Sequence, residues 1–231
     1  MIVAVTGTHK GMGKKIAEYY LGKGATVVGC SRHESEIQHE KYRHYIADVS
    51  DESQMMQFAK SVRQEFGAVD ALINNAGIAS MNHFLMTPYE TAQRLMNVNY
   101  FGCITSIRAF VNLLKKSEHP RIVNFSSVAV PLALDGELAY ASAKAAIESM
   151  TKIMAKELSN FKITVNAVGP TPIQTDLIAK VPQEKLDRIL SSQAIHRFGK
   201  VEDVINVIDF YLNPNSDFIT GQVIYLGGVT K

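Results

Sequence analysis

The sequence predicts an α/β fold: a single doubly wound domain whose parallel β-sheet is flanked by helices on both faces. Three observations carry the prediction. Short apolar runs alternate with longer amphipathic segments, the pattern of parallel strands joined by right-handed helical crossovers. A glycine-rich turn joins the first run to the first amphipathic segment. No proline-rich or low-complexity linker divides the 231 residues, so one domain over 1–231 is expected.

The runs at 2–5, 26–30, 45–47, 71–73, 122–125, 163–168 and 223–226 read as buried strands. Most lack the polar alternation of a half-exposed strand. Between them, 14–23, 53–66, 88–116, 140–158 and 202–212 are amphipathic and read as helices. The third opens with Thr87-Pro88-Tyr89-Glu90. That order offers a capping hydroxyl, proline at the first helical position and a glutamate to complete a capping box.

Composition narrows the function classes. Hydrophobic residues make up 46% and charged residues 20%, which supplies a sizeable core and argues against disorder. A net charge of +2 is too small to recommend nucleic acid or an anionic membrane as partner. No stretch approaches the roughly 20 apolar residues of a membrane span, and the apolar N-terminal run is too short for a signal peptide. Cys30 and Cys103 are the only cysteines and have no zinc-ligand spacing; no metal is expected, and reduced thiols in a cytoplasmic protein are.

The turn after the first strand reads Thr6-Gly7-Thr8-His9-Lys10-Gly11-Met12-Gly13. Glycines let backbone N–H groups approach a pyrophosphate at the positive end of the following helix. The spacing differs from the general G-x-G-x-x-G dinucleotide fingerprint, so position between strand and helix carries the inference. An acid about 20 residues past such a loop binds a ribose 2′-hydroxyl and favours NAD. Here the second strand ends Cys30-Ser31-Arg32-His33, with no acid. Arg32, helped by Lys10, suits a 2′-phosphate instead; both cations also fit a solvated loop. NADP(H) is therefore the preferred cofactor, with NAD(H) possible. Asp48, after the third strand, is placed to accept from an adenine amino group or to cap the next turn.

Tyr140 and Lys144 stand four apart in a helical segment, which puts their Cβ atoms roughly 5–6 Å apart on one face. A cation about 4 Å from a phenol contributes about 4 kcal/mol at an effective dielectric near 20, roughly a thousandfold in proton affinity. The pair can then act as a general acid or base. Tyrosine and lysine also meet this way on solvated faces, so the neighbouring motifs must decide.

Taken in order, Thr6-Gly7-x-x-x-Gly11-x-Gly13, Asp48-Val49, Asn74-Asn75-Ala76-Gly77, Asn99, Ser127, Tyr140-x-x-x-Lys144, Val165-Asn166-Ala167-Val168-x-Pro170 and Ile219-Thr220-Gly221-Gln222 resemble the short-chain dehydrogenase/reductase family over essentially the whole chain. Ser127 precedes Tyr140 by thirteen residues, the family's usual separation, which selects it over Ser126. The resemblance implies a Rossmann-type domain that interconverts a carbonyl and a secondary alcohol by hydride transfer, with reduction of a 3-oxoacyl thioester as the preferred substrate type. It implies a catalytic set of Asn99, Ser127, Tyr140 and Lys144. Tyr140 would pass the proton, and Lys144 would lower the tyrosine pKa and hold the nicotinamide ribose. Ser127 would polarise the carbonyl, and Asn99 would anchor a relay water. Asn99 also suits a plain backbone hydrogen bond within a long helix.

For the cofactor the resemblance implies Gly7, Thr8, Lys10, Gly11, Met12, Gly13, Ser31, Arg32, Asp48, Val49, Asn75, Ala76 and Gly77, then Tyr140 and Lys144. Pro170, Ile173 and Thr175 would hold the carboxamide and phosphates, while Asn74 stabilises the sheet. It also implies a homo-oligomer, tetramer or dimer, with Ala143, Ala146, Ile147 and Met150 as a small apolar face for a partner helix.

Two positions depart from the family pattern. Thr171 stands between Pro170 and Pro172 where glycine is usual, and Leu226-Gly227-Gly228 replaces Asp-Gly-Gly. Both bear on the substrate loop and subunit contacts. Val130, Pro131, Leu132, Leu134, Leu177, Ile178, Val181, Leu186 and Ile189 are expected to wall a pocket for a largely apolar ketone, or else simply to pack. His83 either touches a substrate or sits in a surface loop. A dinucleotide-binding regulator without catalysis is the alternative function, although a sensor needs none of the proton chemistry.

Overall fold

Strands buried on both faces read as continuous apolar runs, and seven strands among the described residues form one parallel sheet in the computed structural model. The structure describes residues 1–175, 178 and 181–229. The strands are β1 (Ile2–Thr6), β2 (Thr26–Ser31), β3 (Tyr42–Ile46), β4 (Ala71–Asn74), β5 (Arg121–Phe125), β6 (Thr164–Gly169) and β7 (Val223–Tyr225). Their order across the sheet is β3-β2-β1-β4-β5-β6-β7. Val3 of β1 pairs with Val27 on one side and Ala71 on the other, so the chain winds outward in both directions from the β1–β4 border. A ligand crevice belongs at the carboxyl ends of the strands there.

The helices are α1 (Gly11–Gly22), α2 (Glu52–Phe66), α3 (Tyr89–Met96), α4 (Gly102–Leu114), α5 (Ala129–Leu132), α6 (Leu138–Glu157), α7 (Gln183–Ser191) and α8 (Val201–Leu212). Strand alternation divides the core. Ala4, Val28, Leu72 and Ile122 face α2, α4 and α6 through Phe58, Phe110 and Ile147. Val3, Val5, Val27 and Ile73 face α1 and α8 through Ile16, Tyr20 and Ile208. Asp209 of α8 accepts from Tyr20 Oη at 2.9 Å and from Lys23 Nζ at 2.6 Å, tying α8 to α1.

Three expectations are corrected. The third strand runs Tyr42–Ile46 rather than 45–47; at the sheet edge Arg43 is exposed while Tyr42 is buried, so its signal is mixed. The helix expected at 88–116 is broken into α3, a π-helical turn at Asn97–Phe101, and α4. The capping box at its start does not form: Pro88 occupies the cap position, and the Thr87 hydroxyl donates to the carbonyls of His83 and Asn82. By contrast α2 is capped by Asp51, which accepts from Gln54 N at 3.0 Å.

Candidate active site

A cavity of about 370 Å³ opens over the β1–β4 border. Its two ends are built differently. One end is backbone: Gly7 and Gly11 adopt φ of 79° and 61°, conformations costly for any other residue. A Cβ on Gly13 would stand 2.8 Å from the Gly7 carbonyl carbon and closer still to its oxygen. Lys10 holds the cap position of α1 without a side-chain capping bond, and backbone N–H groups at a helix start suit an anion. Asn75 Nδ2 donates to Thr6 O at 2.9 Å, and Ala76 N donates to Thr6 Oγ1 at 3.0 Å, holding the loop after β4 against the glycine turn. These features suit a dinucleotide pyrophosphate, a cradle that side chains would fill.

Gly7, Lys10, Gly11, Met12, Gly13, Ser31, Arg32, Asp48, Val49, Asn75, Ala76, Gly77, Pro170, Ile173 and Thr175 all line the cavity. Thr8 does not. Its side chain is fully buried beneath β2 and β3, where Tyr42 Oη donates to Thr8 Oγ1 at 2.8 Å. Asp48 Oδ1 accepts from Ser50 N at 2.9 Å and Ser50 Oγ at 2.7 Å, so it closes a turn as well as facing the cavity.

The other end is built from side chains. Ser127, Tyr140, Lys144 and Asn99 converge there. β5 delivers Ser127 just past its carboxyl end, and α6 carries Tyr140 and Lys144 one turn apart. Lys144 Nζ donates to Phe125 O at 2.8 Å and lies 5.7 Å from the centre of the Tyr140 ring. Burial pushes the phenol up to about 12; the Ser127 hydrogen bond opposes this and Glu137 adds to it. Burial pulls the Lys144 ammonium down to about 8. The expected lowering of the tyrosine is therefore reversed: desolvation of the phenol outweighs the Ser127 hydrogen bond. The phenol is a proton donor at neutral pH.

Asn99 sits in the π-helical turn, a device often found at functional sites. Its Oδ1 accepts from Ile78 N at 3.0 Å and its Nδ2 donates to Ile78 O at 2.9 Å. The amide therefore makes the backbone hydrogen bonds the sequence allowed, one at each end to Ile78, and keeps a second N–H and a second lone pair. Gly77 makes room for it; a Cβ there would stand 2.8 Å from Asn99 Oδ1. Asn74 Nδ2 donates to Asn124 Oδ1, and Asn124 Nδ2 to Thr151 Oγ1, both at 2.9 Å, pinning β4, β5 and α6 together.

Among the expected apolar walls, Leu134, Ile178, Val181, Leu186 and Ile189 line the cavity. Val130, Pro131 and Leu132 do not; Val130 belongs to a neighbouring shallow cavity with His83. Leu177 lies outside the described residues. His83 is exposed and accepts from Leu85 N at 3.3 Å, the surface-loop reading. Thr171 is buried without a positive φ, and its Cγ2 lies 2.8 Å from where a Cβ on Gly227 would stand. Thr171 thus lies beside Gly227, the residue after the second departure, Leu226.

Sequence reasoning missed Glu137, His9 and Met81 in the lining. Glu137 had a signal, an acid three residues ahead of Tyr140. Among the described residues no group of three or more His, Cys, Asp or Glu could hold a metal ion, and no helix is long and apolar enough to cross a membrane.

The family described as enoyl-(acyl carrier protein) reductase matches residues 7–230. A 3-oxoacyl-(acyl-carrier-protein) reductase of Thermotoga maritima is 34% identical, covering 98% of this chain and 96% of its own. The enzyme of the same name from Escherichia coli is 29% identical over the same shares. A ligand-free aldohexose dehydrogenase of Thermoplasma acidophilum superposes with a TM-score of 0.89 at 29% identity, over 99% of this chain and 93% of that one. Full-length likeness in both sequence and fold places the chain in the short-chain dehydrogenase/reductase family, oxidoreductases that interconvert carbonyls and alcohols.

Proposed function

We propose that this enzyme reduces the ketone of a 3-oxoacyl thioester to a secondary alcohol, with NADPH preferred over NADH. The observation that carries the reading is one cavity joining a glycine cradle to Ser127, Tyr140 and Lys144. Backbone at Gly7, Gly11, Met12 and Gly13 would hold the pyrophosphate, and Arg32 with Lys10 and Ser31 the 2′-phosphate. Asp48 and Val49 would flank the adenine. Ala76 and Gly77, kept in place by Asn75, would line the middle of the dinucleotide. Lys144 and Tyr140 would hold the nicotinamide ribose, and Pro170, Ile173 and Thr175 the carboxamide end. Bound there, the cofactor supplies hydride.

The chain's own groups supply the rest. Tyr140, protonated at neutral pH and held so more firmly by desolvation, donates its proton to the substrate oxygen as negative charge develops. Ser127 Oγ donates a hydrogen bond to the same oxygen, a stabilisation aimed at the transition state. The Lys144 charge favours the phenolate that remains. Leu134, Val181, Leu186 and Ile189 keep water from the acyl portion. The relatives named 3-oxoacyl-(acyl-carrier-protein) reductase support the substrate choice.

The protein is proposed to act in the cytoplasm as a homotetramer. The helix face first expected to meet a partner is unsuitable: Ala143, Ile147 and Met150 are buried in the chain's own core and Ala146 is half-buried. The exposed stripe of α6 is Leu138, Ser142, Ala145, Ser149 and Ile153, whose small centre lets a second helix approach. Multi-angle light scattering would show four protomers at micromolar concentration; a monomer would defeat this part. The activity test follows NADPH absorbance with a 3-oxoacyl N-acetylcysteamine thioester. Tight NADPH binding with no turnover across a broad carbonyl panel would leave a cofactor-binding regulator in its place.

A further inference from the structure

Glu137 is the residue immediately before α6, at the position where a short polar side chain usually caps a helix. Its side chain makes no capping bond. It is only 6% exposed, lines the cavity beside Tyr140, and its Oε2 has no hydrogen-bond partner among the described residues. Gly136, at φ of 82°, turns the backbone just before it. Lys185 of α7 acts on it through charge, lowering the carboxyl pKa. A buried carboxylate oxygen with no donor is costly, and no hydrogen bond among the described residues offsets it. The open side is the substrate cavity.

We propose that Glu137 is a specificity residue that accepts a hydrogen bond from a neutral O–H or N–H donor on the substrate. Its charge also disfavours substrates carrying a free carboxylate at that position. The inference deepens the proposed function and rests on the cavity being the substrate site. Within that reading it favours a thioester, whose carrier arm bears amide N–H groups, over the free 3-oxo acid. Burial holds the carboxyl up near 7, with Lys185 pulling the other way, so the group can exchange its proton in the working pH range.

The test compares kcat/KM for a 3-oxoacyl N-acetylcysteamine thioester, a 3-oxoacyl hydroxyethyl ester and the matching ethyl ester, in the unmodified enzyme, Glu137→Gln and Glu137→Leu. A hydrogen bond to a charged group corresponds to roughly tenfold to a hundredfold in affinity. In Glu137→Leu the preference for a donor-bearing substrate over the ethyl ester should collapse by at least about tenfold, chiefly through KM. Glu137→Gln, which retains an acceptor oxygen, should recover part of it. Loss confined to the thioester identifies the amide as the donor, and loss confined to the hydroxyethyl ester identifies the hydroxyl. An equal fall for all three esters means that Glu137 acts only through Tyr140 or the fold, and overturns the proposal, as does no change. Calorimetric binding of the corresponding 3-hydroxyacyl thioester and ethyl ester reads the same contrast without turnover. If that contrast survives in a protein that reduces no ketone, the reductase reading fails while this inference stands.

Discussion

The two ends of the cavity solve different problems with different parts of the chain. The cofactor end is backbone, with Gly7 and Gly11 at positive φ and Gly13 packed onto the Gly7 carbonyl. Its cationic rim at Lys10 and Arg32 is exposed to solvent. The proton-transfer end is side chain, with Lys144 and Glu137 buried and Tyr140 half-buried: desolvation pushes Tyr140 up to about 12, Lys144 down to about 8 and Glu137 up to about 7. The first end depends on shape at the pyrophosphate turn and on charge only at its rim. The second depends on charge and proton affinity, and should tolerate changes of shape that keep the ring or the stem.

The largest expected effect lies at the buried end. Tyr140→Phe keeps the ring and removes the proton, so kcat should fall roughly 10²–10⁴-fold while NADPH affinity, measured by fluorescence titration, changes little. A variant that reduces ketones at the unmodified rate would remove Tyr140 from the mechanism. At the backbone end, Gly13→Ala forces a methyl into the Gly7 carbonyl. NADPH affinity should drop by about a hundredfold or more, about 3 kcal/mol, with the sheet still folded by circular dichroism. Normal affinity in Gly13→Ala would break the comparison outright.

Smaller effects sharpen it. Ser31→Asp with Arg32→Ala exchanges a 2′-phosphate partner for a 2′-hydroxyl partner. The NADPH:NADH ratio of kcat/KM should shift toward NADH by at least about tenfold. Equal use of both cofactors by the unmodified enzyme would defeat the assignment. The smallest effect is in pH. Lys144 carries its charge below about 8 and loses it above. If the charge supports proton transfer, ketone reduction at saturating NADPH should fall roughly twofold between pH 7 and 8, from simple titration. Lys144→Arg keeps its charge throughout that range and should lose this inflection, whatever its absolute rate.

The same contrast explains what could be read from the sequence. Backbone conformation restricts residue type, so the glycine turn was legible, and strands buried on both faces announced themselves as apolar runs. Edge strand β3 was less clear because exposed Arg43 interrupts its run. Tyr140 and Lys144 were legible as a spacing, yet the direction of the tyrosine shift was not, because desolvation depends on what covers both groups. Thr8 shows the limit at the other end: it stands inside the glycine motif, yet its hydroxyl faces Tyr42 rather than the cavity. Glu137 escaped because nothing local says that an acid at a helix start will leave its cap unmade and turn toward a ligand.

The π-helical turn at Asn97–Phe101 sets the angular phase of everything after it. Each residue of an α-helix advances about 100° around the axis, so one extra residue in a turn delays the following helix by about that angle. Deleting a single residue from 97–101 would restore a uniform pitch and leave Cys103, Ile107 and Phe110 packed against the sheet, where α4 is anchored. The rotation would fall on the upstream side and swing Asn99 off the Ile78 peptide. The helix would survive such a deletion intact by every spectroscopic measure of its content, and the cavity wall it supports would not.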